Sequence, residues 1–309
     1  MRYFSIQLIK FLVLGAVVLP VAIILWGELA PSQIKSNLKY RRGYPGHLFT
    51  RLQEVKEFGA VDLLFIGSSH AYRGIDPRYF SAQGIISFNL GSSGQTPLQA
   101  EILLDRYLED LNPRLIVFDV SPSSFYDGIE SSFDLLSNDI IDGSSLQLAL
   151  QQQHLGVYVT LFYAWYRQLL KRDIGFKEEV RRGSDEYISG GYVASSAPVY
   201  HQQQQDERTW ELSDQQLSKL SQILMKMKSK GINVLLVRAP VTASLFNSYT
   251  NNEYPDSILF EKGHYINFQN KVELLDTTHF YDARHLNQAG VELYNRELLK
   301  QIESGKYLH

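Results

Sequence analysis

Short apolar runs alternate with longer stretches of helical periodicity along most of this chain, and that alternation restricts the fold more than any other feature. Residues 61–66 are apolar except for Asp62, which suits a strand covered on both faces. Residues 85–90, 115–120, 234–237 and 272–275 read as four further strands. Thr96-Pro97-Leu98-Gln99 reads as a helix start, with Thr96 as N-cap, Pro97 in the first turn and Gln99 closing a capping box. Ala100, Leu104, Leu108 and Leu111 then recur at helical spacing. Ser213 and Gln216 open another helix carrying Leu217, Leu220, Leu224 and Met227, with Gly231 as its C-terminal cap. A last helix starts near Asn287 and buries Val291, Tyr294, Leu298 and Ile302. Strands alternating with helices imply an α/β domain of three layers, helices on both faces of a mostly parallel sheet. A ligand site in such a fold lies beyond the C-terminal strand ends, where Ser69, Gly94 and Ser123 fall.

Residues 4–27 are mainly apolar, with Ser5, Gln7 and Lys10 as early interruptions. At about 1.5 Å per residue this length crosses a hydrocarbon core of roughly 30 Å, with Lys10 snorkelling to the headgroups. A cleaved signal peptide is the alternative, although Glu28-Leu29-Ala30 is a poor cleavage site. Basic residues flank both ends of the segment, so charge does not fix its orientation. The organisation read from the sequence is an anchor over 1–30, a linker or stalk over 31–58, and one domain over 59–309. Residues 128–212 break the rhythm, with a helix over 148–170, a Gly/Ser/Tyr-rich loop and the glutamine run 202–205. They read as an insertion over the site, and the glutamine run as solvated loop.

Composition narrows the function classes. A chain of 309 residues builds a core that needs no disulfides, and the absence of Cys removes thiol catalysis and Cys-based zinc sites. The formal net charge of -3 argues against a nucleic-acid partner. Tyr (19) and Phe (16) are plentiful, but aromatic side chains serve cores and surfaces more often than sugar platforms.

Two short segments carry chemistry. Gly67-Ser68-Ser69 ends the first strand, and Asp282-Ala283-Arg284-His285 lies just before the last helix. Serine is a poor nucleophile without a positioned base, and that base needs an orienting partner; Ser69, His285 and Asp282 supply the three parts. A small-residue turn with a Ser N-cap explains residues 67–69 equally well. Gly91-Ser92-Ser93-Gly94 forms a second turn where backbone can approach a ligand closely. Asp276-Thr277-Thr278-His279 repeats the Asp-x-x-His pattern, and the two copies together could in principle ligate a metal. Their spacing matches no ligand motif, so no metal and no other cofactor is expected. His70 is expected to line the pocket. Arg238, at another strand end, could hold an anionic substrate group or form a structural salt bridge.

Gly67-Ser68-Ser69 resembles the Gly-Asp-Ser block of the SGNH (GDSL-type) hydrolases, with Ser68 in place of Asp. Residues 89–96, Asn-Leu-Gly-Ser-Ser-Gly-Gln-Thr, look like the second block, in which Gly94 matches the glycine that donates an oxyanion N–H. Asp282 to His285 resembles the final Asp-x-x-His block, with His285 as base and Asp282 as its orienter. The third block, Gly-x-Asn-Asp, is not preserved: the chain reads Asp119-Val120-Ser121-Pro122-Ser123-Ser124-Phe125 there. Over residues 60–126 and 213–303 the resemblance implies an SGNH hydrolase-like, flavodoxin-like fold. It further implies a serine esterase or O-acyltransferase with catalytic Ser69, Asp282 and His285 and oxyanion donors at Ser69 and Gly94; His70, Ser123 and Arg238 are the expected substrate contacts. The serine-rich form on one N-terminal anchor is similar to the branch that modifies cell-envelope polymers, such as teichoic-acid D-alanylation and alginate-type acetylation proteins. That likeness implies a single-pass protein of the cytoplasmic membrane with its domain periplasmic or extracellular. The implied partners are an envelope polysaccharide or polymer and an integral-membrane acyltransferase. The alternative class is a catalytically inactive scaffold that binds such partners.

Overall fold

The computed structural model describes residues 2–43, 46–201 and 203–308. Five strands make the central sheet: β1 (Leu63–Ile66), β2 (Ser87–Asn89), β3 (Leu115–Asp119), β7 (Asn233–Arg238) and β8 (Tyr265–Asn267). Three more, β4 (Arg181–Arg182), β5 (Asp185–Ile188) and β6 (Tyr192–Ser195), form a separate antiparallel sheet. The central order is β2-β1-β3-β7-β8 with every pair parallel, and Leu63 aligns with Ser87 on one side and Leu115 on the other. Strand order reverses between β1 and β3, which makes their C-terminal ends the crevice where such sheets hold ligands.

Every residue of β1 and β3 is buried, as a continuous apolar run requires when helices cover both faces. Alternation sends Leu63, Phe65, Leu115, Val117, Leu235 and Val237 to one face, against Val291, Tyr294, Leu298 and Ile302 of the helix Gln288–Ser304. Leu64, Ile66, Ile116, Phe118 and Leu236, also buried, point the other way. The helices Leu48–Phe58, Pro97–Leu111 and Asp214–Ser229 pack side by side to form that opposite layer.

Local signals explain most element ends. Thr96 and Gln99 form the expected capping box, in which the N–H of Thr96 donates to Gln99 Oε1 at 3.2 Å. Ser213 caps without a side-chain bond, and Gln216 instead accepts the N–H of Leu98 at 3.1 Å, tying the two helices together. The fifth strand is Tyr265–Asn267, not residues 272–275. Its three residues are too few to show a period, while Val272 and Leu274 pack on the core from irregular chain. The helix expected over 148–170 is two, Gly143–Gln152 and Leu155–Leu169, broken where Gln153 turns left-handed at φ 49°.

The chain divides into two compact units, residues 2–42 with 132–176 and residues 43–131 with 177–308. In the first, the helix Arg2–Leu29 contains the 27-residue apolar stretch Tyr3–Leu29, within which an 18-residue window reaches a mean hydropathy of 2.8. It is long and apolar enough to be a membrane span or a signal sequence. At its end Glu28 meets Arg167 at 3.3 Å and Tyr163 Oη at 3.2 Å, and Arg167 continues to Asp173 at 2.7 Å.

In the second unit, Leu48, Leu52 and Val55 are fully buried, so the latter part of the expected stalk is domain core. The free edge of β2 is covered by the turn between β5 and β6: the N–H of Asn89 donates to Gly190 O at 2.8 Å, and Arg51 Nε to Gly191 O at 2.9 Å. Residues 177–212 therefore belong with the central sheet, while 132–176 cluster with the N-terminal residues. Tyr44 and Pro45 of the expected linker and Gln202 of the glutamine run lie outside the described residues.

Candidate active site

Gly67 ends β1 at φ 134°, a backbone setting that side chains rarely adopt, and a Cβ there would lie 2.7 Å from that of Asp119. Glycine thus lets the chain leave β1 directly against β3. Ser68 caps the short helix Ser69–Gly74, accepting the N–H of His70, and Ser69 is its first residue. The small-residue N-cap is real, and it falls on Ser68, which leaves the Ser69 hydroxyl free for another partner.

That partner is His285. Its Nε2 lies 2.7 Å from Ser69 Oγ, and its Nδ1 lies 2.8 Å from Asp282 Oδ2 and 3.0 Å from Oδ1. The turn explains the three-residue spacing: Asp282 Oδ1 also accepts the N–H groups of Arg284 at 2.7 Å and His285 at 2.8 Å. A carboxylate that folds back on its own loop necessarily meets the imidazole three positions on. The loop is closed by Tyr281 N–H to His285 O at 3.1 Å and by Thr242 Oγ1 to Ala283 O at 2.9 Å. The Tyr281 ring stacks on the His285 ring with centroids 5.6 Å apart, fixing the imidazole plane. Burial pushes the Asp282 carboxyl up, but its bond to His285, the neighbouring imidazole charge and the two backbone donors outweigh this and hold it at about 2. Asp282 is thus ionised and fixes the tautomer with Nδ1–H, leaving Nε2 as the acceptor toward Ser69.

Gly94 lies on the loop after β2 with φ 55°. The loop is strapped to the serine turn: Ser92 N–H donates to Gly67 O at 3.0 Å, and Gly67 N–H donates to Gln95 Oε1 at 2.8 Å. Gln95 also donates to Leu90 O and Ser92 Oγ, while buried Asn89 donates to Ala71 O and Ile75 O. Neither the Ser69 nor the Gly94 N–H donates a hydrogen bond among the described residues.

Behind the serine, fully buried Asp119 accepts from Ser121 Oγ at 2.7 Å, Ser68 Oγ at 3.1 Å and the Ala239 N–H at 3.5 Å. Burial raises its pKa to about 6, opposed by those donors. Ser121 therefore spends its hydroxyl on Asp119, and Ser123 is the half-buried hydroxyl of that turn that borders the site. His70 is buried with its ring 5.6 Å from that of His285 and its Nδ1 3.2 Å from Ser68 Oγ. Burial, then the neighbouring His285 and Arg284, lower its pKa to about 3, so it is neutral.

The remaining expected contacts separate cleanly. Arg238 is buried and engaged by Asp256 at 2.9 Å and Asn252 at 2.9 Å; the salt-bridge reading holds, and its guanidinium is not free for an anion. Asp276 accepts the N–H groups of Ala243 and Ser244 at 2.7 and 3.1 Å, and His279 Nδ1 accepts that of Leu275 at 2.8 Å. The earlier Asp-x-x-His is thus a pair of helix-end devices. Among the described residues no group of three or more His, Asp or Glu side chains is arranged around a metal position.

Sequence reasoning gave no role to Asp119, Gln95, Trp210 or Tyr249. Trp210 and Tyr249 stack at 3.6 Å between centroids and border a small cavity with His70 and Ser123. Asp119 had one available signal, being a polar residue at the end of an apolar strand.

No protein-family model and no curated protein matches this sequence. Solved structures it resembles include a GDSL-like lipase of Bacteroides thetaiotaomicron, at 13% identity and TM-score 0.40, over 84% of this chain and 98% of the other. A psychrotrophic esterase of Pseudoalteromonas sp. aligns at 12% identity and TM-score 0.36, over 79% and 98% of the two chains. An acetyl-xylooligosaccharide esterase of Geobacillus aligns at 13% and TM-score 0.38, over 79% and 94%. At such low similarity they add nothing to the chemistry of Ser69, Asp282 and His285.

Proposed function

We propose that this protein is a serine esterase or O-acyltransferase that works through an ester on Ser69. The observation that carries the reading is the unbroken chain from Ser69 Oγ through both nitrogens of His285 to Asp282, at 2.7 and 2.8 Å. Ser69 Oγ attacks an ester carbonyl while His285 Nε2 takes its proton, and Asp282 stabilises the imidazolium. The Ser69 and Gly94 N–H groups hold the oxyanion. His285 returns the proton to the departing alcohol, then activates water or an acceptor hydroxyl to release the acyl group. With Ser121 committed to Asp119, the side-chain oxyanion donor is either Ser123 or absent.

The proposed acceptor is an envelope polysaccharide or polymer, and the proposed setting is a single-pass membrane protein with its domain outside the cytoplasm. The apolar N-terminal helix supports the membrane, and an open groove of about 560 Å³ bordered by Tyr200, His201, Tyr281 and Arg284 supports a polymer. A second reading, a silent scaffold that binds such a polymer or a membrane acyltransferase, is favoured by the commitment of Ser121. A serine-reactive fluorophosphonate decides between them. The proposed enzyme is labelled at Ser69 and loses labelling in Ser69→Ala; a wild-type protein that takes no label is the scaffold.

A further inference from the structure

A cavity bordered by Arg284 and by His70, whose ring lies 5.6 Å from that of His285, is too small for a sugar or an acyl chain of any length. Its volume is about 20 Å³, and His70, Ser121, Ser123, Trp210, Tyr249 and Arg284 border it. A single water needs on the order of 10–15 Å³ of such space and two or more polar partners. His70 supplies one partner of defined character. The lone hydroxyl proton of Ser68 goes to Asp119 Oδ2, so toward His70 Ser68 acts only as acceptor. The Nδ1 of His70, 3.2 Å away, must then carry the ring proton. Its Nε2 is left as a bare lone pair, buried, with no hydrogen-bond partner among the described residues. A buried acceptor without a donor costs about 1–3 kcal/mol, and a donor arriving with the substrate or with solvent removes that cost.

We propose that this cavity holds the water that hydrolyses the Ser69 ester, and that His70 Nε2 accepts the hydrogen which His285 does not take. The inference rests on the Ser69 ester proposed above. Once Ser69 Oγ is acylated it carries no proton, and His285 Nε2 is released to accept one from water. The water oxygen bonds to the acyl carbon as one of its hydrogens moves to His285 Nε2. Its second hydrogen stays on oxygen, bonded to His70 Nε2, and leaves with the carboxylic acid. The bond from the acyl carbon to Ser69 Oγ breaks, and His285 returns its proton to that oxygen. Water has two hydrogens for two imidazoles, whereas an alcohol has one. His70 therefore favours hydrolysis over transfer by a contact only water can make.

The full-length protein in detergent, given p-nitrophenyl acetate with a fixed concentration of methanol, tests this directly. The readout is the ratio of methyl acetate to acetate formed, which is independent of the number of active molecules. His70→Leu should raise the ratio about tenfold, the loss of one such hydrogen bond. His70→Gln, which keeps an acceptor oxygen, should return it most of the way to wild type. Ser68→Ala, which frees the ring to carry its proton on Nε2, should raise it and stands in if His70→Leu fails to fold. An unchanged ratio in the folded variants overturns the water site and leaves the serine mechanism standing. Wild-type protein that forms no acetyl-Ser69 overturns both.

Discussion

His285 Nε2 and Ser69 Oγ, 216 residues apart in the chain, lie 2.7 Å from each other at the end of the sheet where its strand order reverses. The contact joins the first turn after β1 to the last turn before the final helix. It therefore depends on the whole parallel sheet being formed. Substitution should reveal a unit whose members fail together.

Ser69→Ala and His285→Ala are expected to abolish turnover of a short p-nitrophenyl ester. Asp282→Asn should lower kcat about ten-thousand-fold, because an amide supports the wrong tautomer and cannot stabilise the imidazolium. His279→Ala should retain wild-type kcat. Steady-state assays on the four variants check this, and activity kept in His285→Ala but lost in His279→Ala would reverse the assignment.

Asp276→Asn should keep kcat within about threefold while lowering stability by about 1 kcal/mol, since it weakens the cap on the helix Ala243–Ser248. Paired urea melts and ester assays separate the two effects. A large loss of kcat with unchanged stability would return Asp276 to the catalytic machinery.

Gly67→Ala is expected to destabilise the protein by roughly 3 kcal/mol. The new Cβ is placed in a strained backbone region and pressed into Asp119 at the same time. A denaturant midpoint unchanged from wild type would show that β1 and β3 can separate without cost.

His70 has its folded pKa lowered to about 3, below the ordinary 6.5. Between these values the unfolded chain binds more protons, so the neutral His70 stabilises the fold above pH 6.5 and this contribution is lost as pH falls toward 3. Asp119, raised to about 6, acts in the opposite sense, since the folded state holds its proton more tightly between about 4 and 6. His70→Gln removes the first effect alone. Its loss of stability from pH 7 to pH 4.5 should be smaller than that of wild type by on the order of 2 kcal/mol, read from chemical melts at the two pH values.

The helix Arg2–Leu29 should keep the intact chain in the membrane pellet through high-salt and alkaline washes. Uncleaved protein in the supernatant would remove the anchor. A shortened chain there would identify the segment as a signal sequence.

Sequence periodicity exposed the strands that lie inside the sheet, since β1, β3 and β7 are long enough and dry enough to form apolar runs. It missed β8, whose three half-buried residues owe their pairing to β7 rather than to any pattern of their own. The Asp-x-x-His geometry was legible because a single Asx-type turn sets it locally. The duplicate at Asp276 was ambiguous because the spacing alone does not show that Asp276 turns to the N–H groups of Ala243 and Ser244, within a short helix, instead of to its own histidine. Asp119 was hidden because its role comes from hydrogen bonds to Ser68 and Ser121, which join residues from two strands' ends; His70 was legible as a pocket residue, but its bond to Ser68 was not.

The turn at Gly190 and Gly191 has a bearing on solubility as well as shape. By bonding to Asn89 and Arg51 it occupies an outer rim of β2 that would otherwise offer unpaired peptide groups to any extended chain. Trimming the Gly/Tyr-rich segment as dispensable surface loop would strip that seal. The shortened protein would then recruit strands from its neighbours, and clumping rather than a change in catalysis would be the first symptom.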